Sequence, residues 1–352
     1  MAVQKQVMPQ ETTDLRRMRR EAFLESLGWR HVTPQPMQAD ASFRRYYRLQ
    51  GADRPLLLME DPPDRPPVPP LVMVEPFTRI AGHLRELGLR APEVHFKDMP
   101  NGLLVIDDFG DDTYTRLFDK GADPKPLYEL AVDVLVHLHK HPQRGAIELP
   151  KYDDKHLVDE AMLLLDWYYP ALSGKKPTEE MKQSFAAVWK DLFKKFPQDQ
   201  ETLVLRDYHV DNLMLLPDAE GLQSCGLLDF QDAVIGQFSY DLMSLLEDAR
   251  RDVPQGLQLH LYSRYMKGMG AGGDQGLDLP AFNYSYRVLA AQRHAKVLGI
   301  FVRLSVRDGK DRYLTFVPHV HKLFINSLDS PVLEPLRHWF EKHDIDIRRP
   351  LT

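Results

Sequence analysis

The sequence predicts an α+β chain in two parts, a small β-rich N-terminal lobe over residues 1–108 and a larger, mainly helical C-terminal lobe over 109–352. Three observations carry that expectation. Short apolar runs separated by prolines and turn residues fill the first third. Amphipathic stripes at helical spacing dominate the rest. The helical pattern breaks once, between Leu203 and Phe230, where three brief apolar runs bracket polar loops.

The elements follow in order. Leu15, Met18, Ala22, Phe23 and Leu27 recur at helical spacing behind a Thr13-Asp14 cap, and Gly28 stops this first helix. Residues 39–49 predict strand, turn and strand, because small and turn-forming residues precede the β-prone Tyr46-Tyr47 pair. The apolar run 56–59 predicts a buried strand, and the prolines of 61–70 a loop. Phe77, Ile80, Ala81, Leu84 and Leu87 define a helix ended by Gly88, and 92–96 and 103–106 predict two more strands. The polar turn 107–112 is the expected hinge. Beyond it, Leu127, Leu130, Ala131, Val134, Leu135 and Leu138 form one helical stripe, and Met181, Phe185, Val188, Leu192 and Phe196 another. Residues 203–205, 213–216 and 226–230 predict short strands. The remainder, 240–343, predicts helix with a Gly-rich loop at 268–276.

Composition narrows the function classes. The chain has 352 residues, 43% apolar and 27% charged, an ordinary globular balance with room for two cores. A net charge of -6 with interspersed signs argues against nucleic acid, whose binders carry a basic face. Cys225 is the single cysteine, so no intramolecular disulfide forms. Residues 1–20 are polar, and no stretch approaches the ~20 apolar residues of a membrane helix. A cytoplasmic setting with no membrane partner is expected.

The chemistry concentrates in 203–230. Two apolar strands bracket a loop holding Asp207, His209, Asp211 and Asn212, and Asp229 ends the next apolar run. Phosphoryl transfer from ATP needs a carboxylate to orient an acceptor hydroxyl and hard oxygen ligands to hold magnesium on the phosphates. Asp207 is the expected base, and Asn212 and Asp229 are the expected metal ligands. An Asp-x4-Asn spacing alone carries little information. The strand brackets, His209 and the second hairpin ending in Asp229 raise its weight.

The segment Arg206-Asp207-Tyr208-His209-Val210-Asp211-Asn212 resembles the catalytic loop of the aminoglycoside phosphotransferase and choline kinase family. That loop has the form His-Gly-Asp-x-His-x-x-Asn, and Leu205-Arg206 stands here for its His-Gly. Leu228-Asp229-Phe230 is similar to the family's metal-binding strand end, and Gly236 and Tyr240-Asp241-Leu242 to the segment after it. Asp241 then corresponds to a carboxylate that supports the loop. The stretches 40–48, 59–63, 244–252 and 291–303 resemble one branch, the anomeric kinases of N-acetylmuramate and N-acetylglucosamine in bacterial cell-wall recycling. The resemblance implies a bilobal, protein-kinase-like fold, ATP and Mg2+, and a small-molecule sugar as partner.

Further site residues follow from that implication. Backbone near Ile106 and Asp108 is expected to hold the nucleotide base, and Ser42, Arg44 and Arg45 to cover the phosphates. Such kinases place a Lys on the third strand. Met59 stands there, so Arg44 or Arg45 is the expected substitute. Arg250 and Arg293 are candidate cations for an anionic acceptor. Gln292, Lys296, Gly299 and Arg303 share one helix stripe, which is either a solvated face or part of that acceptor site. Two alternatives stand: a kinase of another small hydroxylated acceptor, such as an aminoglycoside or a choline-like molecule, and a non-catalytic nucleotide-binding protein.

Overall fold

The computed structural model describes residues 10–37, 44–61, 74–271 and 277–351. By packing, the chain forms two units, Met1–Leu117 with Met214–Gln231 and Phe118–Leu213 with Asp232–Thr352. The sequence pattern predicts a contiguous division at residue 108. The packing units instead take two stretches of chain each, because residues 214–231 fold with the N-terminal segment.

The first unit opens with helix α1 (Gln10–Ser26) and continues through β1 (Thr33–Pro36), β2 (Arg45–Gln50), β3 (Leu56–Glu60), helix α2 (Glu75–Glu86), β4 (Val94–Asp98) and β5 (Leu103–Asp107). The strands make one sheet of order β1-β2-β3-β5-β4, with every neighbouring pair antiparallel. β1 lies ahead of the expected strand pair. Its Pro34 and Pro36 suit an edge position, where a missing N–H costs no ladder bond. Part of the expected pair, including Ser42, and most of the proline-rich loop lie outside the described residues.

Phe23 and Leu24 of α1 pack with Tyr47, Leu49, Leu56, Leu58, Leu103 and Val105 on one face of the sheet. Burying each such side chain stabilises by about 1.5–3 kcal/mol. The α1 stripe expected from spacing is only half buried, since Leu15 and Met18 are 46% and 60% exposed. The inward face instead mixes Arg16 with Phe23 and Leu24, and Arg20 lies over the Tyr47 ring while bonding Glu60. Charged groups thus occupy helix positions where periodicity predicts apolar ones.

A short helix, α3 (Tyr114–Asp119), leads to α4 (Pro124–Lys140), α5 (Asp154–Ala161), α6 (Tyr169–Ser173) and α7 (Glu179–Phe193). Strand β6 (Glu201–Val204) follows. Next come β7 (Leu213–Leu215) and β8 (Cys225–Leu227), paired as a hairpin. Strand β9 (Val234–Gln237) pairs antiparallel with β6, with Val204 opposite Val234. Helices α8 (Ser239–Leu246), α9 (Gln255–Gly268), α10 (Leu279–Asp308), α11 (Val317–Leu328) and α12 (Glu334–Lys342) complete the chain. In the second unit, Asp278 caps α10 by accepting from Ala281 N at 3.1 Å, and Gly309 ends it in the left-handed region. α10 crosses the segment after α5 so closely that a Cβ on Gly299 would fall on the Leu163 backbone. The Gln292 stripe is therefore packed inward: Gln292 is fully buried and its neighbour Arg293 is 5% exposed. A solvated face is ruled out, because the crossing removes it from water.

Candidate active site

The loop after β6 is organised by a carboxylate. Asp241, in the first turn of α8 and fully buried, accepts from the backbone N–H of Leu205 at 2.6 Å and of Arg206 at 2.9 Å. The chain then turns through Arg206 at φ +68°. Glycine adopts that conformation freely, whereas another residue costs about 1–2 kcal/mol there. This accounts for a Gly at the equivalent place in the loop form described above. The arginine is held by its own side chain. Its guanidinium pairs with Glu160 at 2.5 Å, donates to the Asp232 carbonyl at 3.2 Å and lies 5.3 Å over the Tyr152 ring. Glu160 also meets Lys296 at 2.8 Å and accepts from Gln292 at 3.3 Å and from the Tyr152 hydroxyl.

Asp207 follows immediately and is half-buried. Burial pushes its carboxyl up, but the charges of Lys296, Arg293 and Arg206 outweigh it, and the carboxyl lies below its usual range. Burial pushes the Asp241 carboxyl up to about 7; the two backbone N–H groups oppose that rise, and the Asp207 charge adds to it. The two acids are therefore driven apart, one ionised at neutral pH and one near its midpoint. Asn212 Nδ2 donates to the Asp207 carbonyl at 2.9 Å, closing the loop. His209 is buried, with Nε2 facing Asn212 Nδ2 at 3.4 Å and Arg250 Nη1 at 3.5 Å. Both neighbours are donors, so Nε2 is the acceptor and the ring is neutral. Burial lowers its pKa.

The other expected residues lie as follows. Arg250 pairs with Asp211 at 2.8 Å, inside the loop. Arg293 lies in the fields of Asp207 and Asp241, and its buried Nη1 has no hydrogen-bond partner among the described residues. Asp229 belongs to the first unit, just past β8, at φ +56°. Gln231 Nε2 donates to its Oδ1 at 2.8 Å, and Phe230 stacks on Phe77 of α2 at 5.1 Å. Also in that unit, Ile106 is buried in β5 opposite Leu57. Asp108 accepts from Arg48 Nε and from Gly110 N, both at 2.8 Å. Ser42 lies outside the described residues.

The donor chemistry of Asn212 and Asp229 fits a hard divalent cation. Asn212 commits its amide nitrogen to the loop, which leaves the amide oxygen as the atom for a cation, and Asp229 is a carboxylate. Glu160, Tyr152 and Asp61 are given no role in the sequence expectations. Asp61 falls in the stretch 59–63 without a role assigned to it, and Glu160 and Tyr152 fall in no local motif, because each acts by reaching a distant residue. A left-handed Arg206 in a loop that otherwise takes Gly is the one signal that points to an anion beside it.

Residues 33–278 match the family described as Phosphotransferase enzyme family. An N-acetylmuramate/N-acetylglucosamine kinase of Caulobacter vibrioides is 32% identical, over 93% of this chain and 97% of its own length. One from Pseudomonas aeruginosa is 36% identical, over 83% of each chain. In fold, the chain is similar to an amicoumacin kinase solved with AMP-PNP, Ca2+ and Ami, at TM-score 0.59 and 12% identity over 92% of this chain and 98% of that one. No helix among the described residues is long and apolar enough to cross a membrane. With two-thirds of its length inside the family match and relatives above 30% identity along most of it, the chain belongs to the phosphotransferase enzyme family and has its kinase-like α+β fold.

Proposed function

We propose that this chain transfers the γ-phosphoryl group of ATP to the anomeric C1 hydroxyl of N-acetylmuramate, N-acetylglucosamine or both, with Mg2+ as the metal. The observation that carries the reading is Asp207, a half-buried carboxylate that Lys296, Arg293 and Arg206 hold ionised in a loop fixed by Asp241. The acceptor follows from relatives of that name at 32% and 36% identity. A role in recycling cell-wall amino sugars goes with that acceptor.

In this reading Asp207 accepts a hydrogen bond from the C1 hydroxyl, aims its oxygen at the γ-phosphorus and takes the proton as the new bond forms. A hemiacetal hydroxyl is more acidic than an ordinary alcohol, so a carboxylate of low pKa suffices. Asp241 fixes the backbone that carries Asp207 and takes no proton from the acceptor. Asn212 and Asp229 would hold the metal, which would supply charge neutralisation on the phosphates. Backbone near Ile106 and Asp108 receives the nucleotide base. Arg293 offers a buried N–H to an anion, and the lactyl carboxylate of N-acetylmuramate is such a group. A cationic aminoglycoside or choline would meet the like charge of Arg293 there.

The test is Asp207→Asn. Its kcat falls by about 10²–10⁴-fold, the usual span of a general base, while ATP affinity is unchanged. Turnover at the unmodified rate removes Asp207 from this role.

A further inference from the structure

The strand that should carry a phosphate-binding lysine has none, and two acids close it, Glu60 as the last residue of β3 and Asp61 just past it. Register separates them. In the β2–β3 ladder Tyr46 lies opposite Met59, Arg45 opposite Glu60 and Tyr47 opposite Leu58. Directly opposed residues of an antiparallel pair share a face, and successive residues alternate. Arg45, Tyr47, Leu58 and Glu60 therefore share one face, and Arg44, Tyr46, Met59 and Asp61 the other.

The first face is the one covered by α1. Glu60 there accepts from Arg20 at 2.9 Å and from the Tyr47 hydroxyl at 3.1 Å, and Tyr47 belongs to the α1 core. Arg45 lies opposite Glu60 on this face and is thereby tied to this structural side. The second face differs. Arg44 Nε pairs with Asp61 Oδ2 at 2.8 Å, with side-chain exposures of only 13% and 1%. The Tyr46 phenol lies in the fields of Arg44, Asp61 and Asp229. One arginine, its partner acid and the expected metal ligand thus converge around one tyrosine, all within the first unit.

We infer that Arg44, oriented by Asp61, is the phosphate-binding cation of this chain, and that the Arg44–Asp61 pair stands in for the strand-lysine and helix-glutamate pair of related kinases. This inference rests on the kinase reading above. The physical argument is one of direction. A lysine is a point charge on a flexible stem, and kinases orient it with a glutamate. A guanidinium has five donors in a rigid fork, so one ion pair through Nε fixes the plane of the whole group. Asp61 supplies that pair from the position just after β3. Glu75, the acid nearest the start of α2, pairs instead with Arg79 at 2.8 Å on its own helix. Met59 stands at the lysine position of β3, and the cation comes from the residue just before β2.

Calorimetric titration of ATP and of AMP, each with Mg2+, tests the inference without any turnover. In Arg44→Ala, ATP binding weakens by about ten- to a hundredfold, the worth of a charge-assisted contact, while AMP binding is retained. Arg44→Lys recovers part of the ATP affinity. Asp61→Asn gives the same ATP-selective loss at smaller size, which a purely structural acid would not. Unchanged ATP binding in Arg44→Ala, equal losses for ATP and AMP, or an ATP-selective loss in Arg45→Ala instead overturns the inference alone. Absence of ATP binding by the unmodified chain overturns the kinase reading and the inference together.

Discussion

The backbone N–H of Arg206, one residue before Asp207, donates directly to the Asp241 carboxylate at 2.9 Å. Holding the loop this way puts a buried acid at the base of the site, with a pKa pushed up to about 7 by burial. Its ordinary value is about 3.9. The native state therefore keeps a proton that the unfolded chain has released, and stability falls as pH rises between those values. The contribution is complete below about pH 4 and lost through about pH 7. Melting temperature should decline from pH 4.5 to 7.5, and Asp241→Asn should flatten the decline, at most about 1.4 kcal/mol per pH unit. An identical slope in the variant contradicts the assignment.

Arg206 sets left-handed strain against an ion pair. Arg206→Ala loses the Glu160 contact and keeps the strain, whereas Arg206→Gly loses both. The glycine variant should be more stable than the alanine variant by about 1 kcal/mol in urea unfolding. Equal midpoints would mean that the loop relaxes out of that conformation.

Gly299 has no room for a methyl group, since a Cβ there meets the Leu163 backbone. Backbone cannot yield as a side-chain tip does. Gly299→Ala should lower stability by about 1–3 kcal/mol or more. Gly256 has nothing near its Cβ direction, so Gly256→Ala is the tolerated control. A Gly299→Ala protein as stable as that control contradicts the close crossing of α10.

Asp229 tests the metal. Chelation should abolish turnover and added Mg2+ should restore it. Asp229→Ala should lose turnover at every Mg2+ concentration while its circular dichroism spectrum is retained. Activity in that variant removes Asp229 from the metal site.

Much of this was legible in the chain because it is local. Helices α2, α4 and α7 follow from apolar spacing, and Asp207, Asn212 and Asp229 from polar residues at the ends of apolar strands. The structure reads differently where long-range partners override local pattern. α1 turns Arg16 inward and leaves Met18 outside, and β1 contains two prolines that only an edge strand tolerates. The Glu160 hub reaches Arg206 and Lys296, residues far apart in sequence, and has no local signature. The choice between Arg44 and Arg45 needs a strand register, which the sequence does not display.

The central claim is transfer to an anomeric hydroxyl. The direct measurement is phosphorus–proton coupling in the product formed from ATP and N-acetylmuramate or N-acetylglucosamine, with kanamycin and choline offered in parallel. The account predicts a sugar 1-phosphate, with phosphorus coupled to the anomeric proton and the reducing end lost. Phosphate on C6, or turnover only with kanamycin or choline, contradicts it.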